Sequence, residues 1–169
     1  MIAIGELPQL HSDSVSAQKP STESLRVCLV AFGEKTFAID LRQVAEVFVP
    51  ESITPVPGMP AALVGVTNLR GTIVPLADVR AVLDVSAFGL PKYAVVVRHE
   101  TYRVGLLVEN VPEIRTIPSD DLVATSVRTT TENLPLFSGF VNTDKKSSAI
   151  LDIPRLLASI ERATHDQNS

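Results

Sequence analysis

Gly65-Val-Thr-Asn-Leu-Arg-Gly-Thr-Ile-Val-Pro-Leu-Ala-Asp78 is the stretch whose reading decides the fold. Two apolar runs, Leu63 to Val66 and Thr72 to Leu76, flank the polar corner Asn68-Leu69-Arg70-Gly71. Asn favours the first position of a tight turn and glycine tolerates positive φ, so the stretch predicts a β-hairpin with Arg70 at its tip. A guanidinium on a rigid tip is a directed fork of donors, suited to holding another segment or a partner.

Upstream of the hairpin, Leu25 to Phe32 is apolar or cysteine at every position except Arg26, the pattern of a strand covered on both faces. A turn at Gly33-Glu34-Lys35 leads into Phe37, Ile39 and Leu41, which alternate with Thr36, Ala38 and Asp40 as in a half-buried strand. Val44 to Val49 reads as a helical turn passing into a strand, and Pro50 to Pro60, with four prolines and a glycine, as a loop. Downstream, Asp78 is placed to cap a short helix carrying Val79, Val82 and Leu83. Lys92 to His99 and Tyr102 to Val108 form the next strand pair, Val111 to Ile117 another strand, and Pro118 to Leu134 a polar loop. Phe137 to Asn142 and Ser148 to Leu151 form a last hairpin, and Asp152 caps a helix with Ile153, Leu156, Leu157 and Ile160 on one face.

The order of features occurs twice. Gly65-Val-Thr-Asn68 matches Gly139-Phe-Val-Asn142, and without a gap Asp78 falls on Asp152 and Leu83 on Leu157. Val44-Ala-Glu-Val47 matches Val111-Pro-Glu-Ile114, and the strand of Phe37, Ile39 and Leu41 aligns with Tyr102, Val104 and Leu106. The duplication predicts a mainly β protein of two similar lobes, each of about five short strands closed by a short helix, with a groove between them. Lobe one is expected over about 25–84 and lobe two over about 92–163, with a flexible arm at 1–24 and a frayed tail at 164–169. The second half lacks the Leu69-Arg70-Gly71 tip and has seven extra residues between its Val-x-Glu and Gly-x-x-Asn elements. Shared features are expected to be architectural and the unshared Arg70 tip functional.

Composition narrows the function. At 169 residues and 45% hydrophobic, the chain can bury a real core, and a formal net charge of −4 argues against a nucleic-acid partner. A single cysteine, Cys28, sits in an apolar run, so no disulfide forms within a monomer and a reducing compartment is expected. The apolar runs are strand-length and the N-terminus lacks a signal-peptide pattern, so a cytoplasmic protein without membrane insertion is expected.

Candidate chemistry is sparse. His11, His99 and His165 show no metal-ligand spacing, and no phosphate-binding or nucleophile-elbow motif is present, so no metal, cofactor or catalytic residue is assigned. Asp40 and Asp78 could form a carboxylate pair, but a strand's polar face and a helix cap account for them more simply. Val44, Val47 and Val49 with Glu46 read either as an ordinary barrel strand or as an exposed apolar strip rimmed by an acid, which suits helix docking. Arg70 reads either as a structural ligand of its own lobe or as a surface organiser. An enzyme or ligand-binding protein using the inter-lobe groove stays open as the rival reading.

Phe32-Gly-Glu-Lys-Thr-Phe-Ala-Ile-Asp-Leu-Arg-Gln-Val-Ala-Glu-Val47, Ile53-Thr-Pro-Val-Pro57 and Gly65 to Arg80 resemble the CheW family of chemotaxis adaptors. The likeness continues through Gly105 to Ile114 and Ile150 to Ile153, covering about residues 24 to 160. It implies two intertwined five-stranded SH3-like barrels and a non-enzymatic coupling role, without a cofactor. The partners implied are the cytoplasmic tip of a chemoreceptor and the regulatory domain of a CheA-type histidine kinase, with the adaptor a monomer in solution, recruited to membrane receptor arrays. Carried onto matching positions, Val44, Glu46 and Val47 are candidates for the receptor groove. Gly65 and Gly139 would support its strands, and Asn68, Arg70 and Gly71 form the signature turn. The resemblance does not decide among flagellar, pilus and surface-sensing pathways.

Overall fold

Strand pairing divides the molecule into two sheets, and the division does not follow the order of the chain. The computed structural model describes residues 23–86, 89–124, 136–144 and 146–162. The expected N-terminal arm up to 22, the tail, His11, His165 and residues 125–134 of the long loop lie outside the described residues. The strands are β1 (Ser24–Phe32), β2 (Lys35–Asp40), β3 (Val44–Phe48), β4 (Leu63–Leu69), β5 (Thr72–Ala77) and β6 (Tyr93–His99). They continue with β7 (Tyr102–Val108), β8 (Glu113–Pro118), β9 (Leu122–Ala124), β10 (Phe137–Thr143) and β11 (Lys146–Leu151), before helix α1 (Ile153–Arg162). One sheet has the order β8-β1-β2-β11-β10-β9 and the other β3-β6-β7-β5-β4.

Each sheet therefore takes the first hairpin of one half of the sequence and the later strands of the other half. The spatial lobes are not the sequence halves 25–84 and 92–163: β1 and β2 sit among β8 to β11, and β6 and β7 among β3 to β5. Pairing with the other half's strands ties the halves together through the parallel contacts Ala149↔Phe37 and Leu76↔Gly105.

The strand registers bear out the duplication and correct one of its alignments. Val27 pairs with Asp40 in one sheet as Ala94 pairs with Leu107 in the other, and Cys28 with Ile114 as Val95 with Val47. Up to β3 and β8 the equivalent positions are thus 67 apart, which places Ile39 on Leu106 and Phe37 on Val104. The alignment of Phe37 with Tyr102 was two residues out. A slip of two keeps every side chain on its own face, so alternation alone does not detect it. From β4 and β10 onward the shift is 74, and both hairpins carry a register break at the same place, Leu63/Gly65 and Phe137/Gly139.

β1, β2, β6 and β7 are apolar on both faces because they separate three cores. The largest lies between the sheets and unites Val30, Phe32, Phe37 and Ile39 with Val95, Leu106, Val108 and the α1 residues Ile153, Leu156 and Ile160. Val27, Ala38, Ile117 and Val141 fill the six-stranded lobe, and Leu76, Ala94 and Leu107 the five-stranded one.

Two local expectations change. The helix expected after Asp78 is a run of turns at 80–84, whereas Asp152 does start a ten-residue helix. Asp78 Oδ1 accepts from the N–H of Arg80, two residues on, while Asp152 Oδ1 accepts from Arg155, the third position of a helix cap. Only five residues separate Asp78 from Asp84, whose φ is 55°, and two of them, Val79 and Val82, are β-branched; that is too short to sustain a helix. The loop beginning at Pro118 contains a 3-10 turn, Ser119–Asp121, and β9. β9 is the extra strand that makes one sheet six-stranded, and its counterpart is the single bridge Thr54↔Val66.

One ion network crosses from sheet to sheet. The Glu109 carboxylate accepts from Arg80 Nη1 at 2.9 Å and from the backbone N–H of Gly33, in the β1–β2 turn, at 3.3 Å. Arg80 also donates to Asp78 through Nη2 at 2.7 Å and Nε at 3.0 Å, and to the Gly89 carbonyl at 3.1 Å. The side chains of Arg80 and Glu109 are each only 11% exposed.

Candidate functional site

The hairpin β4–β5 closes through a two-residue turn, with Leu69 opposite Thr72. Arg70 (φ 50°) and Gly71 (φ 87°) occupy its two central positions, both left-handed, as a type I′ turn requires. Asn68 is not in the turn itself; it lies in β4 opposite Ile73 and its Oδ1 accepts from the Gly71 N–H at 2.7 Å. Asn68→Ala leaves that N–H without its side-chain acceptor, and chemical denaturation should record a loss of about 1 kcal/mol.

Left-handed backbone is costly for arginine, so the turn holds Arg70 where a glycine would be less strained. The structure brings two of the expected site residues together there: Arg70 Nη2 donates to Glu46 Oε2, on β3. The Arg70 side chain remains 74% exposed and Glu46 27%, so the pair fixes the tip against β3 without hiding it. An ion pair this exposed stabilises by roughly 0.5 kcal/mol, which marks it as a positioning contact.

β3 and the proline-rich segment after it also leave apolar side chains exposed, with Val47 on the opposite face of β3 from Glu46. Val47 is 41% exposed and Val49 59%, while Val44 is half-buried against the main core. Ile53, Val56 and Val64, which the sequence did not single out, are exposed as well. Thr54 bridges to Val66, and Thr67 Oγ1 donates to the Ser52 carbonyl at 2.7 Å, so this segment is fastened to β4.

Gly65 permits that fastening. A Cβ there would stand 2.5 Å from the Thr54 carbonyl oxygen and 2.9 Å from Ile53 Cγ2, and its φ is +155°. Gly139 has the equivalent task in the other sheet, where a Cβ would meet the Val123 carbonyl oxygen of β9 at 2.7 Å. Gly139 therefore does not belong to the strands around Val44, Glu46 and Val47, because equivalent halves of a duplication stand in different sheets.

A cleft of about 530 Å³ opens elsewhere, on the six-stranded sheet, lined by Leu25, Asp40, Arg42, Ile150, Asp152 and Pro154 among others. Its carboxylates are engaged. Asp40 accepts from Arg42 Nη2 at 2.7 Å, and those hydrogen bonds outweigh burial and hold its pKa below the ordinary range. Asp152 caps α1. At Asp78 burial raises the pKa, but the hydrogen bonds and charge of Arg80 outweigh it and leave the carboxyl below its usual value. Asp40 and Asp78 are thus separately paired, each with an arginine, and stay ionised near neutral pH, unsuited to general acid–base work. Burial pushes the Cys28 thiol up, away from thiolate reactivity. Among the described residues, no group of three or more His, Cys, Asp or Glu is placed to hold a metal ion.

Comparison with known proteins gives a consistent result. The family model for the CheW-like domain matches residues 26–161. A chemotaxis protein CheW of Rhizobium meliloti is 35% identical over 101 residues, spanning 57% of this chain and 65% of its own length. One from Thermotoga maritima is 30% identical over 128 residues, spanning 75% of this chain and 83% of its own. The crystal structure of a CheW scaffolding protein from Thermoanaerobacter tengcongensis superposes with a TM-score of 0.67 at 26% identity, covering 76% of this chain and 88% of that one.

Proposed function

The chain belongs to the CheW-like family of chemotaxis adaptors, and from that membership we propose that it is a non-enzymatic scaffold joining a chemoreceptor's cytoplasmic tip to the regulatory domain of a CheA-type histidine kinase. The observation that carries this reading is the set of apolar side chains, Val47, Val49, Ile53 and Val56, that β3 and its following segment leave exposed. Exposed apolar side chains of this kind take an amphipathic helix by burying the helix's apolar face. Binding both partners at once raises their effective concentration, so individually weak contacts suffice. Receptor state alters the kinase only as far as the scaffold's contacts differ between states. No helix among the described residues is long and apolar enough to cross a membrane, and the scaffold would act in the cytoplasm at receptor arrays.

A pull-down with the full chain, a receptor-tip fragment and the kinase regulatory domain tests the reading. Val47, and not the half-buried Val44, is the position to charge. Val47→Glu should lose receptor binding by at least about tenfold while the thermal transition stays in place. Arg70→Ala should remain folded and weaken binding less. Wild-type protein that captures neither partner would overturn the scaffold reading; loss of folding in Arg70→Ala would remove Arg70 from the binding surface.

A further inference from the structure

Arg98 and Arg103 face each other directly across β6 and β7, where like charges repel. Both are exposed, and among the described residues neither is in an ion pair; Arg98 only donates to the Arg42 carbonyl, at 3.4 Å. Two residues further along the same face lies the Val96↔Gly105 pair, and Glu46 is opposite Val96. Arg103, Arg70 and Glu46 line one hollow of about 140 Å³ at the hairpin tip. Two guanidiniums, Arg70 and Arg103, thus share a hollow with one carboxylate, and Arg98 stands opposite Arg103, in a chain whose net charge is −4.

The duplication shows that the frame does not need these arginines. At the equivalent places in the six-stranded sheet, Ala31 and Thr36 face each other across β1 and β2, and Asp144 stands at the tip in place of Arg70. A like-charged cross-strand pair present in one sheet and dispensable in its twin is a local cost that a counter-charge would relieve.

We propose that this arginine surface docks an acidic segment, rich in Asp or Glu, of a partner protein. The inference rests on the scaffold reading only for the partner being a protein, and adds its chemistry. Open guanidinium forks match carboxylates two bonds at a time. The overall negative charge disfavours a polyanion such as nucleic acid, which would meet repulsion outside this patch.

The test is fluorescence anisotropy of a labelled octaglutamate peptide titrated with the full chain at low ionic strength. The double variant Arg98→Ser/Arg103→Thr should bind at least about tenfold more weakly, and salt should weaken wild type toward it. Arg26→Ser, an exposed arginine on the six-stranded sheet, should change binding less than about twofold. No binding by wild type, or an equal loss in Arg26→Ser, would overturn the proposal. Displacement of the peptide by an equimolar amount of inorganic phosphate would make this a small-anion site instead. Self-association in sedimentation that disappears in the double variant would make the partner a second copy. Val47→Glu should keep octaglutamate binding while losing receptor capture; wild type that binds octaglutamate but captures neither receptor tip nor kinase domain sinks the scaffold reading alone.

Discussion

Arg80→Ala is expected to lower the free energy of unfolding by about 3 kcal/mol, the low end for breaking a buried ion pair from one side. Removing the guanidinium leaves Glu109, 11% exposed, with only the Gly33 N–H, and leaves Asp78 without its main donor. The low end is appropriate because the Asp78 side chain is 28% exposed and water can reach it. The network joins the β1–β2 turn of one sheet to the ends of β5 and β7 in the other, so the loss should appear as separation of the two sheets before either melts. Urea denaturation followed by hydrogen exchange at Gly33 and Val108 measures both effects; an unchanged midpoint would refute the assignment. The pH dependence has a definite sign. Asp78 titrates below its ordinary value in the folded protein, so its contribution is present above the unfolded carboxylate pKa of about 3.9 and is lost as pH falls through the folded pKa. Asp78→Asn should therefore flatten the acid limb of the stability curve below about pH 4 and lower the plateau above it.

The second large effect is a contrast between two equivalent glycines. Gly65→Ala should cost about 3 kcal/mol and Gly139→Ala about 2 kcal/mol, from overpacking against a backbone carbonyl in both and backbone strain in the first alone. In Gly65→Ala the new Cβ must displace the Thr54 carbonyl, so the Thr54–Val66 bridge opens and the Ile53 segment leaves β4. Receptor capture should fall with it. In Gly139→Ala the shift is taken up by β9 in the other sheet, and capture should survive at temperatures where the protein stays folded. Equal loss of capture in both variants would mean that the binding surface reaches both sheets.

The hairpin at residues 65 to 78, the both-faces-buried β1, the capped α1 and the duplication were all legible along the chain, because each depends on neighbours a few positions away or on identity between the halves. Arg70 at a left-handed turn position was half legible: the tip was evident, but Asn68 supports the turn from within β4. Its bond to Glu46, 24 positions upstream, left no mark in either segment's periodicity. Arg98 and Arg103 also escaped notice, since two arginines in consecutive strands acquire meaning only once register places them opposite one another.

Which half supplies which sheet was the decision left to tertiary packing. Alternation sets which face of a strand is buried and turn chemistry sets its hairpin partner, but both are silent on the neighbour across a long connection. The two halves have matching registers, so a β1–β2 hairpin fits the β11 of the other half through the same parallel contact that β7 makes with β5. Exchanging the hairpins builds a shared core from Phe32, Phe37, Val95, Leu106 and α1, and the area buried there is what a local reading of the chain cannot count.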